Sequence, residues 1–268
     1  MHILEHCLVG KENNPHTCED GLIMGEHFIT VIDGVTSKGK RLWDGKTSGC
    51  FAKEIISKYL QQDVAEQNAV ELFKNLDRIL YQNIRDCGEP LSWEEYPRAA
   101  IIVYNDLYKE VWSYGDCQCR INERVYTHSS KVDELNALLR AFYLEYEISQ
   151  GADRKKLEQN DIGRAGIEKT LRMQFAFENR KGNFGYPVLN GMGIEESMIK
   201  TYSVAKGDVV VLASDGYPVL RESLSACETE LEHIKKNDPM CFRLYRSTKG
   251  IRQGNISFDD RAFCRFII

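Results

Sequence analysis

The feature that most constrains this chain is a short apolar run that ends in an acid. In His27 to Gly39, HFITVIDGVTSKG, the residues Phe28, Ile29, Val31 and Ile32 are apolar and largely β-branched, the pattern of a strand buried on both faces. Asp33-Gly34 closes the run, so a carboxylate arrives where the chain turns and where glycine lets a backbone carbonyl come close to a ligand. A single Asp-Gly after a strand reads as a turn and nothing more. The construction recurs, however. DVVVLASDG, Asp208 to Gly216, closes in Asp215-Gly216, and VWSYGD closes in Gly115-Asp116. Asp259 and Asp260 open a last strand, Arg261 to Ile268, and Glu19-Asp20 stand before the strand Gly21 to Met24. Oxygen donors of this kind suit hard divalent cations, and they converge only if one fold gathers the ends of several strands.

The remaining periodicities supply the elements for such a fold. Met1 to Val9 reads as a first strand, and Gly21 to Met24 with His27 to Asp33 as a hairpin about Gly25-Glu26. Thr47 to Gln61 and Ala69 to Ile84 carry apolar residues at helical spacing. Strands follow at Pro97 to Asn105, Leu107 to Tyr114 and Cys119 to Tyr126. Ser130, with Asp133 three residues on, caps a long helix Lys131 to Ser149, and Ile162 to Glu178 reads as another. Asn179 to Ile194 is an irregular loop, Met198 to Val204 and Asp208 to Ser214 a hairpin about Lys206-Gly207, and Glu222 to Lys235 a helix. Antiparallel strand runs with paired helices indicate layered α+β architecture rather than alternating βαβ units.

With 268 residues, 43% of them hydrophobic, and no linker-like or low-complexity tract, the expectation is one domain over 1–268. A formal net charge of -5 without a basic cluster argues against nucleic acid or an anionic membrane as partner. The polar N-terminus and the lack of a membrane-length apolar run, with nine scattered cysteines, lead to the expectation of a cytoplasmic protein with reduced thiols, and of a monomer.

The order of the acidic blocks resembles the metal-dependent serine/threonine protein phosphatases of the PP2C (PPM) family. The resemblance rests on Cys18-Glu19-Asp20, ITVIDG at Ile29 to Gly34, YGDC at Tyr114 to Cys117, and VVVLASDG with the terminal DDRAFCRFI. It implies a four-layer α-β-β-α sandwich of two central antiparallel sheets flanked by helix pairs, in a divergent bacterial-type member. It further implies two Mn²⁺ or Mg²⁺ ions, with a third at a weaker site. Asp33 would bridge them and Gly34 would lend its carbonyl. Asp215 and Asp259 would complete one ion's shell, Asp116 would hold the further ion, and Asp20 and Glu19 would hold metal-bound waters as part of the catalytic set. Such ions activate water and offset charge in an in-line displacement on a phosphate.

This chain departs from the family pattern twice. Asn13, Asn14, Pro15 and His16 stand where the family often has a phosphate-gripping Arg, and Lys11 is the nearest cation. Val35, Thr36 and Ser37 follow Asp33-Gly34 in place of a His and a Gly pair, leaving His16 or Thr36 to cover part of the lost acid function. Other residues have plainer readings. His16 is an exposed loop histidine, Cys117 and Cys119 have packing or solvent-edge roles rather than being zinc ligands, Asp260 is a turn residue or one that supports the metal ligands from behind, and Phe142, Tyr143 and Tyr146 belong to the core. Asn183 to Gly193 is expected to overhang the metal site. The function implied is hydrolysis of phosphoserine or phosphothreonine in a phosphorylated protein substrate. The alternatives are a binding or regulatory module with weakened catalysis, and a phosphatase for a small phosphorylated metabolite.

Overall fold

Strand β3 (Phe28–Gly34) shows how the layers form. Its residues alternate between two cores: Phe28 and Ile32 face a helical layer, while Ile29 and Val31 face a second sheet. A strand covered on both sides has no polar face to show in its sequence, and the same parity carries Asp33 to the side of Ile29 and Val31, between the sheets. The computed structural model describes residues 1–62, 64–88 and 91–268.

One sheet runs β2-β3-β4-β5-β8, with β2 Gly21–Met24, β4 Ala99–Asn105, β5 Glu110–Tyr114 and β8 Lys200–Ser203. The other runs β1-β10-β9-β6-β7, with β1 His2–Val9, β6 Gln118–Ile121, β7 Arg124–Tyr126, β9 Val209–Ala213 and β10 Arg261–Ile267. Every pairing is antiparallel. Ile29, Ile102, Tyr104, Val210, Leu212, Cys264 and Phe266 fill the gap between the sheets.

Helices α1 (Ser48–Leu60) and α2 (Ala69–Asp86) cover the first sheet. Thr47 caps α1, and Asn68 with Glu71 forms a reciprocal capping box on α2. On the second sheet's outer face, α7 (Leu224–Asn237) packs through Leu224 and Cys227. The result is an α-β-β-α sandwich.

Between β7 and β8 lies a helical lobe: α3 (Lys131–Ser149), α4 (Arg154–Gln159), α5 (Ile162–Gly166) and α6 (Glu168–Met173). Four sequence expectations change here and beside it. The run expected as one helix from 162 to 178 is broken into α5, α6 and a 3₁₀ turn, because Ile167, at φ -100° and ψ 2°, leaves helical geometry. The single strand expected over 119–126 folds back at Asn122, whose φ of 54° makes a hairpin of β6 and β7. Strands β8 and β9 do not pair with each other. The Lys206-Gly207 turn instead carries the chain from one sheet to the other, with Gly207 N–H donating to Ile268 O at 2.9 Å.

The α3 aromatics are also not core. Phe142 is 65% exposed and Tyr146 54%, because α3 turns its Val132, Ala137, Arg140, Ala141 and Leu144 side inward. Helical spacing fixes a stripe but does not say which stripe finds a partner. Among the described residues, no helix is long and apolar enough to cross a membrane.

Candidate metal centre

Four chain segments deliver carboxylates to one end of the gap between the sheets. Asp33 comes from the end of β3, opposite Ala100 of β4. Asp116 follows Gly115, whose φ of 118° and whose approach to Ala100 leave no room for a side chain: an added Cβ would lie 2.3 Å from the Ala100 Cβ. Asp215 follows β9. Its neighbour Gly216 runs so close to Asp260 that an added Cβ would sit 1.9 Å from the Asp260 carbonyl oxygen, which brings Asp215 beside Asp259. Ser214 fixes this junction, its Oγ accepting from Ala262 N–H at 2.9 Å.

Asp33, Asp116, Asp215 and Asp259 line one open cavity of about 440 Å³. Burial, then repulsion from Asp215, Asp20 and Asp116, pushes the Asp33 carboxyl well above its ordinary range. Asp116 is pushed up to about 8 by burial and by Asp215, and Asp215 up to about 6 by burial and by Asp259. Asp20 is buried and likewise raised, first by burial, and its Oδ2 has no hydrogen-bond partner. Carboxylates that share a site without a counter-charge resist ionisation. That arrangement fits a divalent cation, which would relieve both the repulsion and the unpartnered Asp20 oxygen. As they stand, no three His, Cys, Asp or Glu side chains among the described residues are placed to hold a metal ion.

The other acids are already partnered. Glu19 accepts from Thr36 Oγ1 and Lys11 Nζ on Oε2, and from Thr47 Oγ1 at 2.7 Å on Oε1. Asp260 accepts from the backbone N–H of Lys11 at 2.7 Å and of Glu19 at 3.0 Å, so it ties loops together as a turn residue would. Asp259 takes Lys249 Nζ on Oδ2 and Lys11 Nζ at 3.5 Å on Oδ1. Burial raises its pKa, but the two ammonium groups outweigh burial and hold it below the usual range. Gly34 packs face to face with Gly49 of α1. An added Cβ on either would come within 2.7 Å of the other's carbonyl oxygen, so the first turn of α1 closes directly over the end of β3.

The cavity walls come from both expected and unexpected segments. Tyr186, Pro187 and Val188 of the expected overhanging loop line it. Further along that loop, the N–H groups of Asn190, Gly191 and Gly193 turn away to bind the Asp77 carboxylate of α2 at 3.1, 2.8 and 2.7 Å. Sequence reading missed Lys38, Asp133, Tyr245, Arg246 and Lys249, all of which line the cavity. Their signal was weak, because they lie on polar loops or at a helix start. His16 is exposed and outside the lining, whereas Thr36 is in it. Cys117 and Cys119 are buried core residues.

This α-β-β-α sandwich carries acids at the strand ends between its two sheets. Among solved structures, the chain is similar over 100% of its length, and over 100% of that chain, to the catalytic domain of the serine/threonine protein phosphatase PstP in complex with two manganese ions, with TM-score 0.51 and 9% identity. It is similar, again with both chains fully covered, to the PPM Ser-Thr phosphatase MsPP from Mycobacterium smegmatis in complex with cacodylate, with TM-score 0.50 and 12% identity. At such identities the likeness shows the fold. No protein-family profile and no curated protein matches the sequence.

Proposed function

We propose that the chain is a metal-dependent phosphomonoesterase of PP2C type that acts on phosphoserine or phosphothreonine in proteins. The observation that carries this reading is the convergence of Asp33, Asp116 and Asp215 from three separate chain segments on one open cavity. The fold, shared with phosphatases of this kind, supports it.

Asp33 and Asp215 would hold Mn²⁺ or Mg²⁺, with Asp116, the unpartnered Asp20 oxygen and the Gly34 carbonyl nearby. The bound ion supplies Lewis acidity and an activated water at neutral pH. The chain's own residues do the rest. Lys38 and Arg246 bring positive charge to the cavity wall, where a phosphoryl dianion needs it. Burial, with Arg164 and Lys249 close by, depresses the Lys38 ammonium to about 7. Thr36 bonds Glu19 and so anchors the loop that follows Gly34. The cavity is open, as a phosphorylated side chain on a protein surface requires.

The test is hydrolysis of para-nitrophenyl phosphate and of a phosphothreonine peptide, with and without Mn²⁺, beside Asp33→Ala. Mn²⁺-dependent turnover that falls by roughly a thousandfold or more in the variant is expected, since the metal contribution is lost. Turnover retained in Asp33→Ala refutes the assignment. Absence of turnover in a wild type that Mn²⁺ still stabilises would identify a binding module.

A further inference from the structure

The acids of the centre fall into two groups that differ in one respect. Asp33, Asp116 and Asp215 line one cavity together and, among the described residues, none of them is in an ion pair. Among the described residues, the cluster's ion pairs fall instead on Glu19, Asp259 and Asp260, and they come from two lysines.

Both lysines are held by built features. Lys11 is fixed through its backbone: its N–H donates to Asp260 Oδ1 at 2.7 Å, and its carbonyl accepts from Ile256 N–H at 2.8 Å. Its side chain, 18% exposed, then reaches Glu19, Asp260 and Asp259. Lys249 sits at the end of a loop gathered by the fully buried Arg140 of α3, whose guanidinium donates to the carbonyls of Met240 at 2.7 Å, Cys241 at 3.0 Å and Ser247 at 2.9 Å. Arg164 of α5 adds a bond to the Thr248 carbonyl at 2.7 Å. The next residue, Gly250, lies so close to Met240 that an added Cβ would come 2.9 Å from its backbone. Arg140 and Arg164 of the helical lobe thus hold the loop that carries Lys249, whose Nζ pairs with Asp259.

We propose that Lys11 and Lys249 take the place of one divalent ion, so that the centre binds a single metal at Asp33 and Asp215 while Asp259 stays with the two ammonium groups. The proposal rests on the metal-centre reading of Asp33 and Asp215 given above. An ammonium satisfies a carboxylate's charge as a metal does, though without Lewis acidity. A second divalent ion at Asp259 would have to expel Lys249 from its carboxylate and sit beside Lys11 against like charge.

The test is calorimetric titration of the full-length chain with Mn²⁺, with bound manganese counted independently by elemental analysis of the dialysed complex. One ion per chain is expected in the wild type. Asp259→Asn should leave the affinity for that ion within about threefold, whereas Asp33→Asn should lower it by about a hundredfold, the scale of losing a coordinating group and its charge. The double substitution Lys11→Met with Lys249→Met frees the Asp259 carboxylate and should admit a second ion. Two ions of comparable affinity in the wild type, one of them lost in Asp259→Asn, would overturn the proposal and leave the phosphatase reading intact. No manganese bound by the folded wild type would overturn both.

Discussion

Removing one charge from the candidate centre should stabilise the metal-free chain. Asp215 titrates at about 6 instead of 3.8, because burial and the neighbouring Asp259 oppose its ionisation. Its folded pKa is raised, so the stability it contributes is fully present below the unfolded value and is lost as pH rises through about 6. Above that pH its ionised form costs about 3 kcal/mol, at about 1.4 kcal/mol per pH unit of displacement. Asp215→Asn keeps the shape of the side chain and never ionises. In EDTA at about pH 7.5 the variant should therefore melt higher than the wild type, by about 5 °C for a chain of this length. At about pH 3, below the unfolded value, both side chains are neutral and the two melting curves should coincide. Saturating Mn²⁺ should reverse the order, because a cation that binds only the folded wild type stabilises it by mass action. Differential scanning fluorimetry over this pH range, with and without metal, reads all three results. A variant that melts below the wild type in EDTA at every pH would refute the argument that the acids lack a counter-charge.

Two predictions concern the scaffold. Arg98 and Glu178 form a buried ion pair at the cavity wall, and Arg98 also donates to the carbonyls of Tyr96 at 2.8 Å and Trp93 at 2.7 Å. Glu178→Gln leaves this guanidinium buried without its counter-charge and should cost about 3 to 5 kcal/mol in urea unfolding, whereas a surface pair would cost under about 1 kcal/mol. On α3, Phe142→Ser should change stability by less than about 0.5 kcal/mol, since that ring is exposed. Leu144→Ala, two residues on and fully buried, should cost about 2 to 5 kcal/mol in the same assay.

The strand-end acids were legible in the sequence because strand geometry is local. An unbroken apolar run marks a strand buried on two faces, and the parity that sends Ile29 and Val31 between the sheets sends Asp33 there too. Gly115 and Gly216 were visible as turn residues. Their close approaches to Ala100 and Asp260, which set where Asp116 and Asp215 end up, depend on chain segments far away in sequence. The same limit explains the misread α3 face: Phe142 and Leu144 both lie on apolar stripes, and only the packing of α5 and of the loop near Met240 decides which stripe is buried. The β8–β9 pairing failed for a similar reason, since a tight turn between two β-rich runs signals a hairpin whether or not the strands then part into different sheets. Lys249 carried no local signal. Its place at Asp259 follows from Arg140, a residue more than a hundred positions away that holds the loop from inside the helical lobe.

The central claim is that Asp33 and Asp215 together hold a catalytic divalent ion, and the most direct measurement is anomalous diffraction at the manganese edge from crystals grown with Mn²⁺. The account predicts an anomalous peak bonded to both carboxylates on the floor of the cavity. A strong peak elsewhere, or a featureless map at Asp33 and Asp215 in crystals that contain manganese, would contradict it.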